Sequence, residues 1–278
     1  MGAYLRPLTL AEALSALAST AYTVLAGGTD FYPVRSGQAI SEPVLDITAI
    51  AALRGIRDAG AQWRIGATTT WTDIVRANLP AQFRGLQSAA GQIGGVQIQN
   101  TGTMAGNICN ASPAADGIPA LMALDAQVEL ASSAGLRTVA LTDFVLGSRK
   151  TARHANELLT AFLIPKRDAA RSSFLKLGNR RYLVISIAMV AAVIEVDASG
   201  QVRHAAIAVG SCSAVAKRLH ALEQKLIGQP ALPALSDLVE PGDLLALTPI
   251  DDLRGTGVYR RDAALTLVKR AIEEALHE

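Results

Sequence analysis

The chain is poor in cysteine, with only Cys109 and Cys212 in 278 residues. Two thiols build no disulfide framework and cannot hold an iron–sulfur cluster through four cysteine ligands. The four histidines, His154, His204, His220 and His277, show no metal-ligand spacing, so no metal site is expected. Aromatic residues amount to 4%, too few for a base-stacking platform. Neither sign of charge dominates. The 26 Lys and Arg against 24 Asp and Glu leave a net +2, which gives no broad basic face for nucleic acid. Long hydrophobic runs are missing too. The longest, 184–194, is broken by Ser186 and falls well short of the ~20 residues that span a bilayer. The start, 1–7, has no basic stretch leading into an apolar core. The expectation is a cytoplasmic protein with no membrane insertion and no nucleic-acid partner. Redox chemistry is left to an organic cofactor or to metals on a partner.

What is present is a large apolar fraction, 50%, enough to bury sizeable cores. At roughly 150 residues per domain the length suggests two domains. Thr9 and Glu12 form a capping-box pair ahead of a helix carrying Leu10, Leu14 and Leu17. Strands are expected over 22–26, 44–47 and 63–67, with helices over 70–77 and 80–93. A short helix over 119–124 precedes a hairpin, 127–131 and 136–141, around a Ser-Ser-Ala-Gly turn. A strand over 157–164 stops at Pro165. The composition shifts at 165–168, which places a boundary between domains 1–168 and 169–278, the first dividing into subdomains at about 1–55 and 56–168. Beyond it, strands over 172–177, 187–197 and 202–209 precede helices over 217–227 and 262–276. Strands followed by helices suggest an α+β end domain.

Two segments concentrate glycine. In the first, a strand ending Val24-Leu25-Ala26 runs into Gly27, Gly28, Thr29 and Asp30. Glycine lets the backbone turn sharply and present its N–H groups, so such a turn can hold a diphosphate by main-chain donors. It lacks the Lys-Ser/Thr ending of a Walker A loop and is not a G-x-G-x-x-G fingerprint. Alone, it reads as a structural turn. The second segment is 100–116. Thr103, Asn107, Asn110, Ser112 and Asp116 supply short donors and acceptors without bulk, as a long loop would against an extended polar ligand. It holds no Lys or Arg, so a phosphate there would meet neutral donors.

The pair is recognisable. Ala26-Gly27-Gly28-Thr29-Asp30, followed about 75 residues later by Thr103-Met104-Ala105-Gly106-Asn107-Ile108 and then by Ala111-Ser112-Pro113-Ala114-Ala115-Asp116, resembles the FAD-binding medium subunit of molybdenum hydroxylases. That is the xanthine dehydrogenase, aldehyde oxidase and carbon monoxide dehydrogenase family. The likeness continues through 144–147, 157–165 and 174–176 and covers nearly the whole chain. It implies an α+β protein: a p-cresol-methylhydroxylase-type FAD-binding fold of two α/β subdomains, followed by an α+β domain with a small antiparallel sheet.

The resemblance also implies roles. Leu25, Ala26, Gly27, Gly28, Thr29, Asp30 and Phe31 would wrap the FAD diphosphate through backbone N–H groups. Thr103, Gly106, Asn107, Asn110, Ser112 and Asp116 would line the phosphates, ribitol and adenosine. Gly102, Ile93, Leu159 and Lys176 match further contact positions, Lys176 as a cation that favours the reduced flavin. Molybdopterin and two-iron–two-sulfur clusters would sit in a large and a small partner subunit, in a dimer of heterotrimers. Electrons would leave this chain for NAD or another acceptor.

Three departures from the family pattern stand out. Ala105-Gly106 replaces a Gly-Gly, Ile93 replaces a flavin-stacking aromatic, and Arg180 to Ser186 lacks the usual acidic residue. Tyr182, within that stretch, reads equally as a flavin shield or as a surface tyrosine. Cys109 has no neighbouring base and reads as an inert thiol. Arg149-Lys150 and Arg180-Arg181 read as solvated charge pairs. A second reading is a stand-alone FAD oxidoreductase resembling UDP-N-acetylmuramate reductase, which would need a catalytic acid in its end domain.

Overall fold

The computed structural model describes residues 2–181 and 183–277; Tyr182 lies outside the described residues. The chain opens with β1 (Tyr4–Leu5), α1 (Leu10–Ser19), β2 (Thr23–Leu25) and β3 (Val44–Asp46). α1 begins where the sequence expects it. The Thr9 side chain accepts from the Glu12 N–H and the Glu12 carboxylate accepts from the Thr9 N–H, which satisfies two donors that a helix start leaves open. Its buried residues Ala13 and Leu17 pack with Leu45, Ile47 and Ile50. The three strands make a parallel sheet in the order β1-β3-β2. The first glycine turn leaves the C-terminal end of β2, the edge at which parallel sheets place their ligands.

The second layer is an antiparallel sheet. Its strands are β4 (Ile56–Asp58), β5 (Gln62–Gly66), β6 (Gln127–Ser132) and β7 (Gly135–Ala140). A small hairpin of β8 (Val145–Gly147) and β9 (Lys150–Thr151) follows, and then β10 (Leu158–Pro165). The order is β4-β5-β10-β6-β7, so the last strand made is the central one. β10 is buried from Leu158 to Ile164, as its near-continuous apolar run requires, and Phe162 sits opposite both Ile65 and Val128.

Between β5 and β6 run α2 (Trp71–Arg76), α3 (Arg84–Gln92), α4 (Val96–Thr101), α5 (Met104–Asn110) and α6 (Gly117–Ala123); α7 (Leu141–Phe144) follows β7. Here the structure corrects an expectation. The segment 100–116 is largely helical rather than a long polar loop. The Thr103 side chain caps α5 by accepting from the Gly106 N–H at 3.1 Å. Met104, Ala105 and Ile108 bury one face of it. Two turns are too short for that apolar stripe to stand out among small and amide residues. Ala105 is helical here, so the methyl that replaces the family's glycine meets no backbone strain.

The rest forms β11 (Ala170–Leu177), β12 (Ala188–Val196), β13 (Val202–Gly210), β14 (Lys217–Arg218), α8 (His220–Leu226) and α9 (Gly257–His277). The four strands make one antiparallel sheet in sequence order. β12 is apolar on both faces. Met189, Ala191 and Val193 join the core that holds Leu86 and Leu121. Ala188, Val190, Ala192 and Ile194 join the core under Leu222, Val268 and Ile272. The sheet of β11–β14 is thus sandwiched between α3 and α6 on one face and α8–α9 on the other. The helix expected over 217–227 starts three residues late. Lys217–Arg218 pair with β13 instead, and the Arg218 guanidinium binds Asp125 at 2.8 Å, tertiary contacts that override helix propensity, as well as Glu223 of α8 at 2.6 Å.

One ion pair makes a testable link. Arg137 on β7 donates to both carboxylate oxygens of Glu157, at 2.6 and 2.8 Å, and the His154 N–H adds a third bond at 2.7 Å. The Arg137 hydrogen bonds pull the Glu157 carboxyl from its ordinary 4.5 down to about 2. Because the folded value lies below the unfolded one, this pair stabilises above 4.5 and is lost as pH falls toward 2. Glu157→Gln is expected to flatten that part of the acid-unfolding profile, read as denaturation midpoints of the two proteins across that range.

Candidate functional site

A cavity of about 660 Å³ opens between the parallel sheet and the helical segment, within the range of small-molecule sites. One wall is the first glycine turn, Leu25, Ala26, Gly27, Gly28, Thr29, Asp30 and Phe31. A second wall comes from Gly102, Thr103, Gly106, Asn107 and Asn110, and Ile93 and Leu159 complete it. Two segments that are far apart in sequence therefore face each other across one space.

Their approach depends on missing side chains. A Cβ on Gly27 would collide with the Thr101 carbonyl, so backbone packs on backbone where the two motifs meet. Gly28 has φ +70°, and a Cβ there would strike the Tyr32 ring at 2.7 Å. Phe31 is held from behind. The Arg35 guanidinium lies 4.0 Å from its ring centroid and is itself fixed by Glu42 at 2.7 Å.

Three expected site residues do not line this cavity: Ser112, Asp116 and Lys176. Ala111, at φ +47°, ends α5 and turns the chain away. The Ser112 hydroxyl accepts from the Ala114 N–H at 3.2 Å. Asp116 and Lys176 instead meet each other. The Lys176 ammonium lies 2.5 Å from one Asp116 oxygen, the Ser186 hydroxyl 2.5 Å from the other, and both charged side chains are 6% exposed. Burial pushes the Asp116 carboxyl up, against the pull of Lys176 and Ser186.

Other residues line the cavity that sequence reasoning passed over, among them Trp71, Ile98, Arg149 and Arg153. Arg149 is 63% exposed, as its reading in a solvated charge pair expected, and it also lines the cavity. Nothing local marks it, because the β8–β9 hairpin carries it there. Cys109 stands on the cavity wall, and burial pushes its thiol up to about 11, so it stays protonated and poorly nucleophilic.

A model described as the FAD binding domain in molybdopterin dehydrogenase matches residues 1–167, and one described as the CO dehydrogenase flavoprotein C-terminal domain matches 173–275. The chain belongs to this family. The nicotinate dehydrogenase FAD-subunit of Eubacterium barkeri is 34% identical over 255 residues, covering 85% of this chain and 86% of its own. The carbon monoxide dehydrogenase medium chain of Afipia carboxidovorans is 31% identical over 280 residues, covering 98% and 96%. A crystal structure of a copper, molybdenum CO dehydrogenase superposes with a TM-score of 0.91 at 28% identity, covering 99% of this chain and 98% of that one. The chain is an FAD subunit of the molybdenum hydroxylase type, and the fold is the one that the resemblance implied.

The cavity of this family member fits the cofactor. Trp71, Ile93, Ile98 and Leu159 offer an apolar surface, while Thr29, Asn107, Asn110 and the arginines offer polar partners. The Asn107 Oδ1 is buried without a hydrogen-bond partner, a group that a ligand donor would satisfy. No helix among the described residues is long and apolar enough to cross a membrane.

Proposed function

We propose that this chain is the electron-exit subunit of a molybdenum hydroxylase complex. In this reading its FAD takes electrons from the iron–sulfur clusters of a small subunit and passes them to NAD or another acceptor. A large molybdopterin subunit oxidises the substrate, and the complex is a dimer of heterotrimers in the cytoplasm. The observation that carries the reading is the single cavity walled by both motifs. FAD supplies, when bound, the ability to exchange electrons singly or in pairs, which joins one-electron clusters to a two-electron acceptor.

The chain's own residues bind and orient. Residues 25–31 offer backbone N–H groups at a turn that only glycine fits. Asn107 and Asn110 offer side-chain amides, and Ile93, Trp71 and Leu159 exclude water. Asp116 and Lys176 are proposed as the pin that holds the end domain against the second motif. Relatives named for nicotinate and for carbon monoxide have unlike substrates; that supports placing substrate choice outside this chain. Two free thiols suit a reducing compartment.

The test is to strip FAD from the purified complex. Substrate is expected still to reduce the iron–sulfur clusters, while delivery to the terminal acceptor stops and returns with added FAD. A chain that purifies alone and turns over NAD(P)H with a small substrate unaided would instead make it a stand-alone oxidoreductase.

A further inference from the structure

Neither glycine motif contains a cation, yet a dinucleotide brings a diphosphate with two negative charges. Asp30 adds a carboxylate to the same wall. Neutral N–H donors bind such a group without cancelling its net charge, which a guanidinium does as well as donating. Arg35 also lines the cavity but is paired with Glu42 at 2.7 Å, and the more loosely held positive charge comes from a third segment. Arg149 sits at the tip of the β8–β9 hairpin and Arg153 just beyond it, and both line the cavity.

Arg149 is held there by both motifs. Its backbone N–H donates to the Asn110 carbonyl at 3.2 Å, which docks the hairpin on the end of α5. Its guanidinium reaches back to Asp30 of the first motif at 3.4 Å. Its φ is +56°, a region that a non-glycine residue adopts at a cost and that here aims the side chain across the cavity. Arg153 donates to the His154 and Glu157 carbonyls at 3.0 and 2.7 Å, and its charge acts on the Cys109 thiol from within the same wall.

The Arg149–Asp30 pair is weak. The side chains are 63% and 52% exposed, and an exposed pair at that distance adds little stability. The guanidinium can turn from carboxylate to diphosphate at small cost. A planar guanidinium also suits two phosphate oxygens at once.

We infer that Arg149, seconded by Arg153, is the cationic receptor for the diphosphate of FAD, an inference that rests on the FAD-subunit reading above. The two arginines offset two of the three negative charges that Asp30 and the diphosphate bring, and the β8–β9 hairpin is a third cofactor-binding element beside the two glycine motifs.

The experiment uses the assembled complex, stripped of flavin and titrated with FAD at low and high ionic strength. Arg149→Gln is expected to weaken FAD binding about ten-fold at low salt. It is also expected to flatten the salt dependence, because the screened interaction is gone. The absorption spectrum of bound flavin should not change, since the apolar part of the cavity is intact. Arg149→Lys should recover part of the affinity, without the second bond a guanidinium makes, and most of the salt dependence. An Arg149→Gln complex that binds FAD within two-fold of the parent overturns the inference. So does equal loss in Arg149→Gln and Arg149→Lys with a changed flavin spectrum, which would make the hairpin's shape, not its charge, the cause. A parent complex that takes up no FAD would instead defeat the FAD-subunit reading itself.

Discussion

Gly27→Ala is expected to yield a folded complex without flavin. The added methyl has nowhere to go, because its nearest neighbours are the Thr101 carbonyl and the Gly102 Cα, backbone atoms of the second motif. Side chains can rotate away from a clash, but a backbone that begins a capped helix cannot. Relief requires that the first turn and α4–α5 move apart, and these are two walls of the cavity. A displacement of an ångström across several hydrogen-bonded contacts costs a few kcal/mol, and each 1.4 kcal/mol is ten-fold in affinity. The loss of FAD affinity should therefore be about 100-fold or more. The measurement is flavin absorbance per mole of purified complex, followed by titration. Gly91→Ala is the control, since a Cβ there meets nothing within 4 Å and the position is helical. It should retain flavin in full.

Lys176→Met should destabilise the fold strongly. It leaves the Asp116 carboxylate buried beside Ser186 with no counter-ion. Breaking a buried pair from one side costs ~3–5 kcal/mol, roughly 6–20 °C in Tm for a protein of this size. The pH dependence has a definite sign. Burial already raises the Asp116 carboxyl above its ordinary 3.8, and removing Lys176 takes away an interaction that lowers it. A raised folded value means stability is present at low pH and lost as pH rises through that value. The deficit of Lys176→Met should therefore grow with pH across the acid range. Asp116→Leu combined with Lys176→Met should recover most of the loss, short of ~1 kcal/mol for the hydroxyl of Ser186 that loses its acceptor. Calorimetry on the four proteins of this cycle decides it.

Much of the fold is legible where the cause is local. Thr9 and Glu12 announce α1, the Ser132 to Gly135 turn announces its hairpin, and the apolar run of β10 announces a strand buried on both faces. Legibility ends where the cause is tertiary. α5 hides because its buried stripe is three residues long. Lys217 and Arg218 leave their helix because they pair with β13 and Asp125 holds Arg218 from a distant segment. The two motifs were visible as cofactor segments, yet their contact through Gly27 was not. Asp116 and Lys176 were each singled out, but 60 residues of chain concealed that they bind each other. Arg149 was least legible, since its place depends on a left-handed backbone and on a hairpin docked to Asn110.

The position of β10 bears on when a newborn chain can acquire its cofactor. β5 and β6 are not neighbours; each pairs with β10, which is synthesised after both. Leu158 and Leu159 at its start also close the cavity. Until residue 165 has left the ribosome, the sheet lacks its middle strand and the cavity lacks the wall that Leu158 and Leu159 supply. Such distant pairings form slowly. Flavin loading is therefore a late event in biosynthesis, and a chain truncated before residue 158 carries both glycine motifs yet has no complete pocket to offer.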